Sequence, residues 1–416
     1  MRTSRKLVIS ALTLSSVLVA QTAITETALA QTATLDKSVT VNGSGSTFVS
    51  NFIEQCKADV KKSLDINIAY QPVGSGAGRS GFINGTTDFG ASDVAFTDTE
   101  LPKVKGKFVY IPLTIGGIAV IYRLPGVTEL KLSAQTTAKI FAGTIAKWND
   151  EAITRENPGV TLPSETIRVV VRSDSSGTSN VFSDYLASAG KGAWTKGAQS
   201  TFPIPAGSGI AQKGSDGVTN YLADQGNFGI TYAETSFATE RKLGIAKIIN
   251  TAGNAVLPDA ANVTAAMGDA AINDDGTLLL NFNTTKPDAY PISTTAYLIA
   301  PVAIDAKKGD VLRAFLTYAL GGCQEKAKAV GYAPLPKNLV DLSQKALALV
   351  NPGSAPSPTV PGAAAPAAAA TTNPPATAVA PVTTTAPTAT TKRVTKATKK
   401  STKKPIKKST KETVKK

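Results

Sequence analysis

Residues 172–179 combine an arginine, an aspartate, a glycine and several hydroxyl side chains, in the order Arg-Ser-Asp-Ser-Ser-Gly-Thr-Ser. The β-branched run 167–171 precedes them and the apolar-periodic segment 181–186 follows, so we predict a strand, a tight loop and a helix start. Unpaired N–H donors and a partial positive charge at a helix start favour an anion. Arg172 can offer a fork of two donors to ligand oxygens, and Asp174 can hold its guanidinium in place. The predicted cradle for a tetrahedral anion is completed by donors from Ser176, Gly177 and Thr178.

Two earlier glycine-rich segments have the same strand–loop–helix setting. Residues 43–48 read Gly-Ser-Gly-Ser-Thr-Phe, and residues 74–78 read Gly-Ser-Gly-Ala-Gly. Glycine lets the backbone approach a ligand closely, and Thr47 can offer both its N–H and its hydroxyl. A later glycine-rich loop, residues 213–217, is expected to shape the rim of the site. For residues 43–48 alone, a tight strand–helix turn capped by Ser46 or Thr47 is the alternative interpretation, and residues 74–78 alone are a weak signal.

A carboxylate in the segment 88–93, Asp-Phe-Gly-Ala-Ser-Asp, bears on the kind of anion. A carboxylate beside an anion site repels its ligand unless the ligand carries a proton that the carboxylate can accept. Phosphate has such a proton at neutral pH and sulfate has none, so Asp93 would select against fully deprotonated anions. The alternative is that Asp93 only caps the next turn.

Several kinds of catalytic or metal site are missing from the sequence. The chain has no histidine and only two cysteines, so it offers no imidazole base and no Cys/His metal cluster. Neither a G-x-S-x-G elbow with triad partners nor a P-loop is evident. These observations favour a binding protein without metal or cofactor over an enzyme.

The charge of +14 is concentrated at one end of the chain. Residues 391–416 hold twelve Lys or Arg and one Glu, and the remainder of the chain is close to neutral. We expect residues 351–390, which are mostly Pro, Ala and Thr, to be an extended linker, and residues 391–416 to be a disordered Lys-rich tail. Residues 1–30 have the basic start, apolar run and Ala-Leu-Ala site of a signal peptide. In the exported protein, Cys56 and Cys323 form either one disulfide or two buried thiols.

Short β-branched runs alternate with helical patterns along the body of the chain. Examples are 38–41 before 49–62 and 66–71 before 79–84, and this alternation predicts an α/β fold with largely parallel sheets. The passages 115–117 and 290–293 carry glycine and proline at points where the chain could cross between two lobes. We therefore predict lobe 1 from residues 31–115 and 293–350, with lobe 2, residues 116–292, inserted in it.

Taken in order, these segments resemble the substrate-binding protein of the high-affinity phosphate ABC importer. The resemblance spans residues 38–340 and includes the three loops, Asp88 to Asp93, Lys147 to Asp150, Phe228 to Ile230 and Gly331 to Pro336. It implies a two-lobed, hinged fold that captures inorganic phosphate in the cleft between the lobes. The ligand set that it implies is Thr47, Phe48 through its N–H, Ser75, Asp93, Arg172, Ser176, Gly177 and Thr178, with Asp174 orienting the arginine.

The resemblance also implies partners and a location. We expect an exported, periplasmic or cell-surface monomer that docks on ABC permease subunits in the membrane. No cysteine stands at the predicted cleavage site, so the lipid anchor common among Gram-positive relatives is not expected. The basic tail, which lies outside the family pattern, is expected to bind anionic surface polymers or lipids, with nucleic acid as a rival target. The alternatives that stay open are a binder of another oxyanion, a phosphate-ester hydrolase and an adhesion protein that acts through its tail.

Overall fold

The computed structural model describes residues 35–351, except Asp269. The predicted signal peptide, the Lys-rich tail and all of the predicted linker except Asn351 lie outside the described residues. None of the helices in the described range is both long enough and apolar enough to cross a bilayer.

Strands and helices are interspersed along the described range, and five of the longer helices, α1, α2, α5, α6 and α9, each follow a strand. The strands are β1 (Thr40–Gly45), β2 (Asn67–Pro72), β3 (Phe89–Ser92), β4 (Phe108–Arg123), β5 (Lys131–Ser133), β6 (Arg168–Arg172), β7 (Gly209–Gln212), β8 (Gly229–Glu234), β9 (Gly244–Ile245), β10 (Lys247–Ile249), β11 (Ala255–Val256), β12 (Ala271–Ile272), β13 (Leu278–Leu279) and β14 (Ser293–Pro301). The helices are α1 (Ser50–Leu64), α2 (Ser75–Asn84), α3 (Ala134–Phe141), α4 (Glu151–Glu156), α5 (Gly177–Ala189), α6 (Gly214–Asp224), α7 (Thr235–Glu240), α8 (Ala260–Met267), α9 (Ala306–Leu320) and α10 (Lys337–Leu347). Short 3₁₀ turns cover Leu101–Lys103 and Gln324–Val330.

One large sheet runs through this part of the molecule in the order β2-β1-β3-β14-β4-β8-β6-β7, with β9 also paired to β4. The predicted α/β class is confirmed, but the sheet is less parallel than expected. Parallel pairs form towards its two edges, where β1 lies between β2 and β3 and β6 lies between β7 and β8. The central strands β14 and β4 are antiparallel to their neighbours.

The long strand β4 accounts for much of this difference, because it is antiparallel to each of the strands with which it pairs, β14, β8 and β9. The glycine-marked passage 115–117 was predicted as a point where the chain could cross between two lobes, and it lies inside one continuous strand. Gly116 and Gly117 lie inside it because packing is too close for larger residues. A Cβ on Gly116 would lie 2.9 Å from the Phe48 ring, and one on Gly117 would lie 2.4 Å from Pro258 Cβ. The two glycines therefore mark close packing along the strand and not a break in it.

Strand β4 changes partners in its middle. Gly117 pairs with Ser293 of β14, and the next residue, Ile118, pairs with Glu234 of β8. We call the elements on the β14 side lobe 1 elements and those on the β8 side lobe 2 elements. The boundaries predicted at 115/116 and 292/293 lie next to this change of partner and stay a prediction.

Lobe 1 also contains the two cysteines. Cys56 in α1 and Cys323, which follows α9, form a disulfide with a Cα–Cα distance of 5.6 Å. Both residues are fully buried in the main hydrophobic core. The covalent link therefore ties α1 to the segment that follows α9, 267 positions later in the chain.

Candidate functional site

Five loops that follow strands β1, β2, β3, β6 and β7 converge on one region. Within each lobe these strands are parallel, so their carboxyl ends lie at one edge of that lobe's part of the sheet, and hydrogen bonds such as that between Thr47 and Ser215 join the two groups of loops. Helices α1, α2, α5 and α6 start at or just after four of these loops. The sequence order strand–loop–helix thus brings backbone N–H groups and short polar side chains together from both lobes.

Arg172 ends β6 and is held by Asp174. The guanidinium Nε donates to Asp174 Oδ1 at 2.7 Å, and Nη2 donates to Asp174 Oδ2. Asp174 Oδ1 also accepts from the Gly214 N–H at 2.9 Å, at the start of α6. Burial raises the pKa of Asp174, but the Arg172 hydrogen bonds and charge outweigh it and hold this pKa below its usual value. The arginine is therefore fixed and buried, and Asp174 remains ionised.

Helix α5 begins at the end of the same loop. Ser176 is its N-cap, and Ser176 Oγ accepts from the Ser179 N–H at 3.1 Å. Gly177 and Thr178 supply earlier N–H groups of the first turn, which in any α-helix have no intrahelical carbonyl partner. A Cβ on Gly177 would lie 2.5 Å from Ser75 Oγ and 2.8 Å from Asp93 Cβ. The α5 start thus touches lobe 1, and glycine permits this close approach.

Asp93 follows β3 and accepts hydrogen bonds from both lobes. Ser46 Oγ donates to Asp93 Oδ1, and Thr178 Oγ1 donates to Asp93 Oδ2 at 2.9 Å. The Asp93 N–H donates to Ser75 Oγ at 3.3 Å. Burial raises the pKa of Asp93 to about 6, although the bonds from Ser46 and Thr178 and the charges of Arg172 and Arg79 act in the opposite direction. The carboxylate is therefore mostly charged at neutral pH, and each of its two oxygens accepts one hydrogen bond from a hydroxyl.

Thr47 and Phe48 follow β1 and are also buried. The Phe48 N–H donates to Ser46 Oγ at 3.0 Å. Thr47 Oγ1 lies 2.9 Å from Ser215 Oγ, across the cleft. Ser215 belongs to the loop expected to form the rim, and that expectation was wrong for this residue, because Ser215 is fully buried between Thr47 and Arg172.

The sequence-predicted ligand residues therefore lie in two hydrogen-bonded groups and at the α5 start. Asp93 is bonded to Ser46, Thr178 and Ser75, and the Phe48 N–H joins this group through Ser46. Arg172 is bonded to Asp174 and Ser215, and Ser215 to Thr47, while Ser176 and Gly177 lie beside Thr178 where α5 begins. The cysteine pair lies outside these groups, in the core. Two residues that the sequence analysis did not assign to the site are Ser215 and Tyr232, whose hydroxyl lies 2.6 Å from Ser179 Oγ and accepts from the Arg172 N–H at 3.5 Å. Ser215 shares the strand–glycine–helix signal of the other loops, whereas no local signal marks Tyr232.

The arrangement can solvate a small anion without water. It offers one fixed guanidinium, several hydroxyls and the starts of α2 and α5, and such donors offset the desolvation of a buried anion. It also offers one carboxylate acceptor, which favours an anion that carries a proton. Loops of both lobes already hydrogen-bond directly, since the Gly76 N–H donates to the Ser175 carbonyl at 2.9 Å.

Comparisons with known proteins show the family to which the chain belongs. Residues 24–322 match the model of the PBP superfamily domain. The phosphate-binding protein PstS 2 of Mycobacterium tuberculosis is 37% identical over 313 residues, covering 72% of this chain and 84% of that protein. The phosphate-binding protein PstS of Xylella fastidiosa is 34% identical over 311 residues, covering 73% of this chain and 84% of that protein.

Solved structures give the same result for the fold. A high-affinity periplasmic phosphate-binding protein, PfluDING, with phosphate bound, superposes with a TM-score of 0.61 at 26% identity, over 74% of this chain and 93% of that one. A human phosphate-binding apolipoprotein superposes with a TM-score of 0.59 at 25% identity, over 73% of this chain and 93% of that one. The two-lobed binding-protein fold expected from the sequence is thereby confirmed. The chain belongs to the PBP superfamily and, within it, to the PstS phosphate-binding proteins.

Proposed function

We propose that this protein captures inorganic phosphate in the cleft between its lobes, outside the cytoplasm, and delivers it to an ABC importer. The observation that carries the proposal is that a buried carboxylate, Asp93, and a buried guanidinium, Arg172, lie near enough for the arginine charge to act on the Asp93 pKa, and hydroxyls from both lobes surround them. A guanidinium supplies charge for the anion, and a carboxylate accepts the proton that phosphate retains. The names of the relatives support the same ligand.

Each predicted ligand residue has a role in this proposal. Arg172 binds two phosphate oxygens, oriented by Asp174, and Asp93 accepts the phosphate proton. The remaining donors surround the other oxygens from both lobes; they are Thr47, Phe48 through its N–H, Ser75, Ser176, Gly177 and Thr178. No cofactor and no covalent chemistry is needed, so we propose a binding protein without enzymatic activity.

Capture involves closure of the lobes about β4 and the start of β14. Cross-cleft bonds such as Thr178 to Asp93 and Gly76 to Ser175 can form only when the lobes are close together. Phosphate adds further bridges between the same loops, and therefore binds the closed form more tightly than the open one. The closed protein, as a monomer, then docks on the permease.

We further propose that residues 391–416 hold the protein at an anionic cell surface. These residues carry a charge of +11 beyond a Pro/Ala/Thr-rich segment. Each basic residue near an anionic membrane contributes on the order of 1 kcal/mol, and salt weakens this attraction. A protein that lacks residues 391–416 should leave the cell at low salt, and equal retention of that protein would refute the role of the tail.

Calorimetric titration tests the ligand. Protein stripped of bound phosphate should bind inorganic phosphate tightly and sulfate negligibly, because only phosphate brings a proton to Asp93. Absence of phosphate binding by the folded protein would refute the proposal, and equal sulfate binding would indicate a general oxyanion binder. Turnover of a chromogenic phosphate ester would instead favour a hydrolase.

A further inference from the structure

Ser215 occupies a position between two of the proposed phosphate ligands from opposite lobes. Its hydroxyl lies 2.9 Å from Thr47 Oγ1 of lobe 1 and accepts from Arg172 Nη1 of lobe 2 at 3.4 Å. Its N–H also donates to Thr47 Oγ1 at 3.2 Å. The serine is fully buried, so water does not compete for these bonds.

The start of α6 fixes the backbone of Ser215. Gly214, with φ +73°, turns the chain so that its N–H donates to Asp174 while the next N–H points to Thr47. One helix start therefore restrains both the carboxylate that orients Arg172 and the hydroxyl of Thr47. Helix starts are good donors because their first N–H groups have no partner within the helix.

The number of protons on the two hydroxyls decides which of them donates to the other. Thr47 Oγ1 accepts from the Ser215 N–H, and each hydroxyl has a single proton to donate. When the Thr47 hydroxyl donates its own proton to an anion, Thr47 Oγ1 is free to accept from the Ser215 hydroxyl. Ser215 Oγ then donates to Thr47 Oγ1 and accepts from Arg172 Nη1 at the same time. The guanidinium, Ser215, Thr47 and the anion then form one chain of hydrogen bonds in which each bond polarises the next.

We propose that Ser215 is a positioning residue for phosphate that links Arg172 to Thr47 across the cleft and so slows release of the bound anion. This inference rests on the proposed function, since it needs phosphate in the cleft. The link exists only when the lobes are together, so its loss should act on dissociation more than on association.

The test measures phosphate association and release by stopped flow in the full-length protein. Ser215→Ala should release phosphate about tenfold faster, as expected for loss of a hydrogen bond to a charged group, with a nearly unchanged association rate. Ser215→Cys, which keeps the size but donates weakly, should also release faster. Thr219→Val is the matched control, because Thr219 is equally buried in α6 but donates to the Ser215 carbonyl at 2.7 Å.

A double-mutant cycle with Thr47→Val separates positioning from a general effect on the fold. If Ser215 acts through Thr47, Ser215→Ala should speed release far less in the Thr47→Val background than in wild type. Additive effects, or unchanged release by Ser215→Ala, would overturn the inference. A wild-type protein that binds no phosphate would instead overturn the proposed function on which it rests.

Discussion

Substituting Gly177 by alanine should introduce a steric clash between the lobes and hold them apart. The new Cβ would lie 2.5 Å from Ser75 Oγ, 2.8 Å from Asp93 Cβ and 3.0 Å from the Asp93 backbone N. Ordinary Cβ contacts start at 3.4 Å, so the facing surfaces must separate by roughly 1 Å, and the backbone of Asp93 cannot yield as a side-chain tip can.

The expected loss of affinity follows from this overlap. Extra methyl groups in a close-packed interface cost about 1–3 kcal/mol, which corresponds to a roughly 5- to 150-fold weaker affinity for phosphate. The open form does not bring Gly177 against lobe 1, so the free energy of unfolding of the phosphate-stripped protein should fall by less than this cost. The substitution keeps the N–H of residue 177, so the loss reports closure and not a missing donor.

Calorimetric titration of phosphate measures the effect, with small-angle scattering as a readout of closure. Gly217→Ala is the matched control, because its Cβ would meet only Gln212 atoms at 3.5 Å, an ordinary contact. Wild type and Gly217→Ala should bind equally and become more compact with phosphate, whereas Gly177→Ala should bind weakly and remain more open. Wild-type affinity in Gly177→Ala would show that the cleft does not close as described.

Three further predictions concern charge and stability. Asp93→Asn should reduce the preference for phosphate over sulfate roughly 10- to 100-fold in competitive titrations, because an amide can donate to a fully deprotonated anion; unchanged selectivity would exclude Asp93 as the proton acceptor. Glu234 is buried beside Ser236, one of its carboxylate oxygens lacks a hydrogen-bond partner, and burial raises its pKa from 4.5 to about 8 despite the Ser236 bonds. The contribution of protonated Glu234 to the free energy of unfolding is fully present below pH 4.5 and is lost as pH rises through about 8, a loss of at most about 5 kcal/mol. In urea unfolding, the Glu234→Gln variant should therefore gain stability relative to wild type between pH 5 and pH 9. Parallel pH profiles of the two proteins would refute this. Replacing both Cys56 and Cys323 by serine should lower the free energy of unfolding by about 2–5 kcal/mol while leaving phosphate affinity intact, because the disulfide lies in the core of lobe 1; an equal loss of affinity would contradict that separation.

Local patterns predicted the loops of the site well. The strand–loop–helix order around Arg172 to Thr178 fixes a helix start directly after a buried strand, and the structure has α5 beginning at Gly177. The predicted α/β class follows from the same alternation of strands and helices. These features depend on residues within a few positions of each other, where sequence and backbone geometry are tightly linked.

Long-range contacts were harder to predict. Thr47 and Ser215 are separated by 168 positions, and nothing in their own segments tells which side of a loop faces the cleft. The loop of Ser215 was therefore assigned to the rim although it has the same glycine and helix start as the others. The glycines at 116 and 117 marked a possible crossing between lobes, but nothing local showed that they lie inside one long strand, where Gly116 leaves room for the Phe48 ring.

A crystal structure of the protein with inorganic phosphate would test the central claim most directly. We expect one phosphate between the lobes, with oxygens within hydrogen-bond distance of Arg172, Thr47 and the α5 start, and with its protonated oxygen facing Asp93. Phosphate bound elsewhere, or a closed cleft that holds no phosphate at a saturating phosphate concentration, would contradict the account.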